Sequence, residues 1–182
     1  PEAGWGGSAY TAFRQSKVAR TPIVYVGAND GMLHAFNADT GAELFSFVPN
    51  ASFGTSSNPL LKSLSSLTYS HKYLVDGSPV VSDAYIGSAW TTYLVGTMGM
   101  GGRSVFALDV TNPTTFTKDN VKWEFDSSVS AELGYVLGKP VIVRMGNGRW
   151  AAIFGNGYGG SSTKAKLFIV YLDADLTNGW TL

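Results

Sequence analysis

The 182-residue chain contains no cysteine. That absence removes disulfides, thiolate metal sites and cysteine nucleophiles together. Only two histidines occur, His34 and His71, and neither has a second histidine at metal-ligand spacing. Charge is scarce. Asp, Glu, Lys and Arg make up 14% of the residues and sum to a net charge of zero, so there is no basic stripe for nucleic acid. No apolar run approaches the ~18 residues of a membrane-spanning helix. The opening "PEAGWGGSAY" has no Met and no signal-peptide pattern, and the chain reads as a piece of something longer.

What the chain does have is glycine, 22 residues of it, with seven prolines and 13% aromatics. Low charge with many turn formers and aromatics fits an all-β protein of short strands and frequent corners. One glycine-rich stretch, "AAIFGNGYGGSSTKAKLFIVYLD" (151–173), spells G-x-G-x-x-G through Gly155, Gly157 and Gly160. A dinucleotide turn must open a helix, whose N-terminus carries the pyrophosphate. Only Ser161 to Lys166 separate Gly160 from the next apolar run. A βαβ crossover takes at least ~10 residues, so the spacing implies a hairpin loop between antiparallel strands.

The surrounding pattern recurs. Pro79 and Pro140 are 61 residues apart, Trp90 and Trp150 60, Gly96 and Gly155 59, and Asp109 and Asp173 64. A third copy lies upstream, with Gly27 matched to Gly96 and Gly155, and Asn37 to Asp109 and Asp173. One hairpin thus occurs three times with a loop of growing length. Its glycines turn the chain, because they tolerate positive φ. The fullest copy reads as four strands, "SPVVSDAYI", "TTYLVGT", "SVFALDV" and "VKWEFD", rich in β-branched and aromatic residues. Four antiparallel strands per unit of about sixty residues make a propeller blade. The nearly continuous apolar run "KLFIVYL" suits a strand covered on both faces.

The sequence therefore predicts an all-β partial β-propeller over 1–182, with quinoprotein-like four-stranded blades. It forms an incomplete arc of about three units, roughly 10–49, 72–126 and 134–182. Three units leave two open sides, with the barest sheet faces beside residues 10–25 and 165–182. Between units one and two, Leu60, Leu61, Leu64 and Leu67 form a helical stripe, which predicts one short helix over 58–68. Asn58 would cap it, with Pro59 at the first helical position.

Candidate sites are few. His34 lies in a strand and His71 in a connector, and no G-x-S-x-G elbow accompanies them. "LDADLTNG" (172–179) places Asp173, Asp175 and Thr177 like the start of a calcium loop. Its glycine is late and no bidentate Glu follows. The reading assigns no catalytic, cofactor-binding or metal-ligating residue. "FNADTGAELF" resembles the blade corner of pyrroloquinoline-quinone dehydrogenases, A-x-D-x-x-T-G-x-x-x-W, with Asn37 at the acidic place and Phe45 for Trp. In such a corner polar side chains tie the turn and the aromatic packs between sheets. A fragment of such an oxidoreductase is the alternative reading.

Four stretches together, 24–49, 70–85, 101–113 and 133–160, including "GANDGMLHAF" and "GNGYGG", resemble the C-terminal β-propeller of the PilC/PilY1 family. These are large tip-associated factors of bacterial type IV pili (fimbriae). The resemblance implies an exported cell-surface protein at the outer membrane or pilus tip, without enzymatic activity. It would support pilus assembly and twitching motility, counter retraction and mediate adhesion. Pilus subunits such as minor pilins, host or surface receptors and the remaining blades of the parent chain are the implied partners. Family members carry a Ca2+ loop, D-x-[DN]-x-D-x-x-x-D, beyond the "GNGY" block. That nonapeptide does not occur here, so Ca2+ is an expectation for the parent and no ligand is transferred to this chain.

Overall fold

The computed structural model describes residues 6–176. Ten strands form three antiparallel sheets. The first contains β1 (Ile23–Gly27), β2 (Leu33–Asn37) and β3 (Glu43–Phe47). The second contains β4 (Val80–Ile86), β5 (Ala89–Thr97), β6 (Ser104–Asp109) and β7 (Val121–Asp126). The third contains β8 (Val141–Arg144), β9 (Trp150–Gly155) and β10 (Leu167–Tyr171). Strands follow one another in sequence order within each sheet, the meander of a blade.

The middle sheet alone carries four strands among the described residues. Hydrogen bonds fix how its neighbours compare with it. Ala28 N–H donates to the Met32 carbonyl, Met98 to Ser104 and Asn156 to Lys166, so these residues close the same hairpin. On that register β1 and β9 correspond to β5. Among the described residues the first sheet has no strand equivalent to β4, and the third none equivalent to β7. The hairpin closures also correct the glycine match. Gly27 and Gly155, each one residue before its closing residue, are the counterparts of Thr97, and Gly96 stands one place earlier. A one-residue slip exchanges the faces of a strand, so the ladder, not the glycine, gives the correct faces.

With that register, one row in each sheet points the same way around the arc. The rows are Tyr25–Ala35–Phe45, Val80–Val95–Ala107–Trp123 and Val141–Ile153–Ile169. The first row meets the opposite face of sheet two in a core that contains Leu33, Phe47, Leu94, Phe106 and Leu108. The second meets sheet three around Phe125, Phe154, Phe168 and Val170. Phe125 lies 5.0 Å from Phe168 and 5.9 Å from Phe154 at steep angles, edge-to-face geometry that favours aromatic pairs. The middle blade is thus covered on both sides, each buried side chain contributing about 1.5–3 kcal/mol. The arc is open, with Val24 and Val26 exposed at one side and Val141, Leu167 and Ile169 at the other.

Two helices depart from expectation. α1 (Gly7–Ser16) occupies the stretch where sheet one would have its first strand. Its Tyr10 and Phe13 lean on Trp90, at 4.4 and 6.5 Å, and the Tyr10 hydroxyl donates to Asp83 (2.9 Å). α2 is a single turn, Leu60–Ser63, not a helix over 58–68. Pro59 is its N-cap residue and no side chain caps it. Asn58 instead hydrogen bonds through its backbone to Thr55 in a tight turn, which takes it out of capping position.

Candidate functional site

The three hairpin loops, 28–32, 98–104 and 156–166, are equivalent by ladder position, and each connector runs against them. Leu74 N–H donates to Asn29 Oδ1, Val75 to the Ala28 carbonyl and Asp76 to the Met98 carbonyl. Residues 74–76 therefore tie sheet one to sheet two. Gly134 N–H donates to the Asn156 carbonyl in the same manner as Asp76 to Met98, and Tyr135 and Tyr158 form a backbone bridge.

This arrangement explains the glycines. A Cβ on Gly134 would overlap the Tyr158 carbonyl oxygen, one on Gly157 the Tyr135 carbonyl, and one on Gly160 the Glu132 carbonyl. Gly157 also sits at φ 67°. Backbone approach, not phosphate, is what Gly157 and Gly160 permit. Ser161–Lys166 form no helix, and β10 returns antiparallel to β9. The buried Asn156 holds the loop shut, its Oδ1 accepting from Lys166 N–H and its Nδ2 donating to the Lys164 carbonyl. Lys166 in turn pairs with Glu132.

Side chains join these loops across sheets. The Tyr158 hydroxyl donates to Met100 Sδ (2.8 Å) and Arg103 to the Gly159 carbonyl (3.3 Å). Tyr73, Met100, Leu137 and Tyr158 are exposed on the loops and connectors. The result is an aromatic- and methionine-bearing face on glycine-shaped backbone, the type of surface that protein partners use.

His34 and His71 are not brought together by any interaction. His71 Nε2 lies 3.3 Å from Asn29 Nδ2, with Tyr73 edge-on at 4.9 Å. His34 is bracketed. Its Nδ1 is 2.6 Å from Glu43 Oε1 and its Nε2 2.9 Å from Asp30 Oδ2. Two carboxylates accept from two ring nitrogens only when both carry protons. The Glu43 hydrogen bond chiefly, aided by Asp30, raises the imidazole pKa despite partial desolvation. The carboxylates lie at opposite edges of the ring, and among the described residues no group of three or more His, Asp or Glu is disposed to hold a metal ion.

The Asp173 side chain reaches Arg149 (2.7 Å), whose guanidinium lies 3.6 Å from the centre of the Tyr171 ring. That ion pair differs from the turns at Asn37 and Asp109, which accept backbone N–H groups two residues on. Thr177 lies outside the described residues. At the "FNADTG" corner, Asn37 Oδ1 accepts from Asp39 and Thr40 N–H, Thr40 Oγ1 accepts from Ala42, and Gly41 takes φ 74°. Phe45 stacks on Phe116 at 3.9 Å and 4°, between sheets one and two. Burial holds the Tyr25 and Tyr93 phenols up at about 12. It also raises Glu124, although Asn50 N–H donates to that carboxylate. All three belong to the packing between sheets, and sequence reasoning did not single them out.

An open arc of antiparallel blades, knit by loop-to-connector hydrogen bonds, defines a propeller-type scaffold. Comparison with known proteins gives the family: the model for the PilY1 β-propeller domain matches residues 4–179, and the chain belongs to that family. It is 48% identical over 168 residues to the type IV pilus biogenesis factor PilY1 of Pseudomonas aeruginosa strain UCBPP-PA14, covering 90% of this chain and 14% of that protein. It is 50% identical over 168 residues to a PilY1 homolog of Xylella fastidiosa strain Temecula1, covering 91% and 11%. The crystal structure of the Pseudomonas aeruginosa PilY1 C-terminal domain superposes with a TM-score of 0.73 at 41% identity, covering 90% of this chain and 30% of that one. The chain therefore spans only a small part of the relatives it matches.

Proposed function

We propose that this chain is a non-enzymatic scaffold segment of a type IV pilus biogenesis and adhesion factor. The carrying observation is the family match, unbroken from residue 4 to 179, across all three sheets and the loop face. In this reading the parent protein is exported and works at the cell surface, on the pilus tip. It supports pilus assembly, counters retraction and serves twitching and attachment. Minor pilins and surface receptors are its partners, and the loop face with Tyr73, Met100 and Tyr158 is the surface of this segment best suited to them. Calcium would be held by loops of the parent outside residues 1–182.

An in-frame deletion of residues 4–179 from the parent gene tests the reading. Loss of surface pili and of twitching, with the truncated protein still exported, is the expected result. Normal piliation and motility would overturn it. The quinoprotein alternative rests on the corner alone, and there Asn37, Thr40 and Phe45 are engaged in turn and packing contacts. A quinone absorbance band or alcohol-dependent dye reduction by the purified protein would revive it.

A further inference from the structure

Among the described residues no strand lies inside β1 in sheet one, and the open edge has a defined shape. In sheet two β4 pairs with β5, Val80 opposite Val95 and Ser82 opposite Tyr93. By ladder position Tyr25 and Ile23 of β1 stand where Val95 and Tyr93 stand. Ala28 donates to Met32 and Ala38 to the Pro22 carbonyl, so alternation of the antiparallel ladder turns the amides and carbonyls of Ile23 and Tyr25 to the other edge. No strand pairs with that edge among the described residues, since the stretch before it is α1 and a short linker.

The neighbouring sheet records the same gap. Ile142 of β8 is covered by β4 and is 8% exposed, whereas its counterpart Val81 of β4 is 44% exposed. A hollow of about 290 Å3 lies there, lined by Ile23, Tyr25, Val81 and Val110 with Lys17 and Arg20 at its rim, and no carboxylate lines it. Unpaired edges accept strands. The shape asks for an extended strand antiparallel to β1, with an apolar residue opposite Tyr25 facing Val81 and an acidic residue toward Arg20.

We propose that the inner edge of β1 is a strand-acceptor site, filled by an extended segment of the same parent polypeptide from outside residues 1–182. Two observations favour the parent chain as donor. The site lies at the inner side of the arc, continuous with the β4–β8 contact that already joins sheets two and three. The chain also covers only 30% of the solved relative domain, which leaves ample polypeptide to supply one strand. The inference stands on strand pairing and does not need the pilus reading.

Residue-resolved hydrogen exchange on the full-length parent tests it. The Ile23 and Tyr25 amides should exchange on the order of 100-fold or more slowly than unstructured amides, unchanged over a hundredfold dilution. A photoreactive benzoylphenylalanine at Val81 should cross-link within the same polypeptide, to a peptide outside residues 1–182. Fast exchange at both amides would overturn the proposal. So would protection lost on dilution (a second copy), protection seen only when purified pilin is added, or a cross-link confined to residues 1–182.

Discussion

His34 is the residue whose chemistry is most exposed to solution conditions. Its side chain is 15% exposed, between two carboxylates that are each nearly half exposed. Both ring nitrogens have acceptors, so folding favours the imidazolium and lifts the pKa above its ordinary value of 6.5. A group whose folded pKa is raised adds stability that is fully present below the unfolded pKa and is lost as pH climbs through the folded one. Denaturation curves taken across pH 6–9 should therefore show stability falling as the ring loses its proton, and H34Q should flatten that slope. A wild-type slope equal to that of H34Q would show that neither carboxylate acts on the ring. Glu124 is also raised, chiefly by desolvation, so it too loses stability as pH climbs through its folded pKa, and the comparison with H34Q isolates the histidine's share because Glu124 is common to both proteins.

At the scale of elements, glycine divides into positions that must be glycine and positions that need not be. A Cβ on Gly134 would strike a backbone carbonyl, which cannot rotate away, whereas one on Gly155 would meet only the Lys166 carbonyl at 3.9 Å. G134A should cost about 2 kcal/mol or more. G155A should change stability by less than about 0.5 kcal/mol, although it alters the first glycine of the dinucleotide-like spelling. Equal effects in urea denaturation would refute the backbone-approach account. The contrast shows what could be read from sequence. Strand composition and turn spacing revealed the four strands of the middle blade, because period and propensity are local. The "FNADTG" corner was legible for the same reason, its ties spanning only a few residues. The correct equivalence of Gly27, Thr97 and Gly155 was hidden, since cross-strand register is a pairwise property. α1 was hidden too. Its Gly-rich start carries no side-chain cap, and what holds it is Tyr10 and Phe13 against Trp90, roughly eighty residues away. α2 erred in the other direction, a leucine stripe that forms only one turn.

For the whole molecule the central fact is that a blade has two faces to cover, and among the described residues only the middle sheet has both covered. The row Val80–Val95–Ala107–Trp123 meets sheet three, but the matching row Val141–Ile153–Ile169 meets nothing among the described residues. Val141 is 54% exposed, Leu167 65% and Ile169 37%. Contiguous bare apolar surface of this type drives association. The isolated 182-residue chain should therefore self-associate, and V141K with L167K should suppress that, because both positions point to solvent and lysine there buries no charge. In the full parent the same pair should act in the opposite direction. If a following blade covers this face as sheet three covers sheet two, two lysines would be forced under it, at about 2 kcal/mol or more. Sedimentation velocity over a tenfold concentration range checks the first arm and thermal unfolding of the parent the second. An isolated chain that stays monomeric, together with a parent indifferent to both lysines, would mean that this face is a finished surface and that the arc is not built to be continued there.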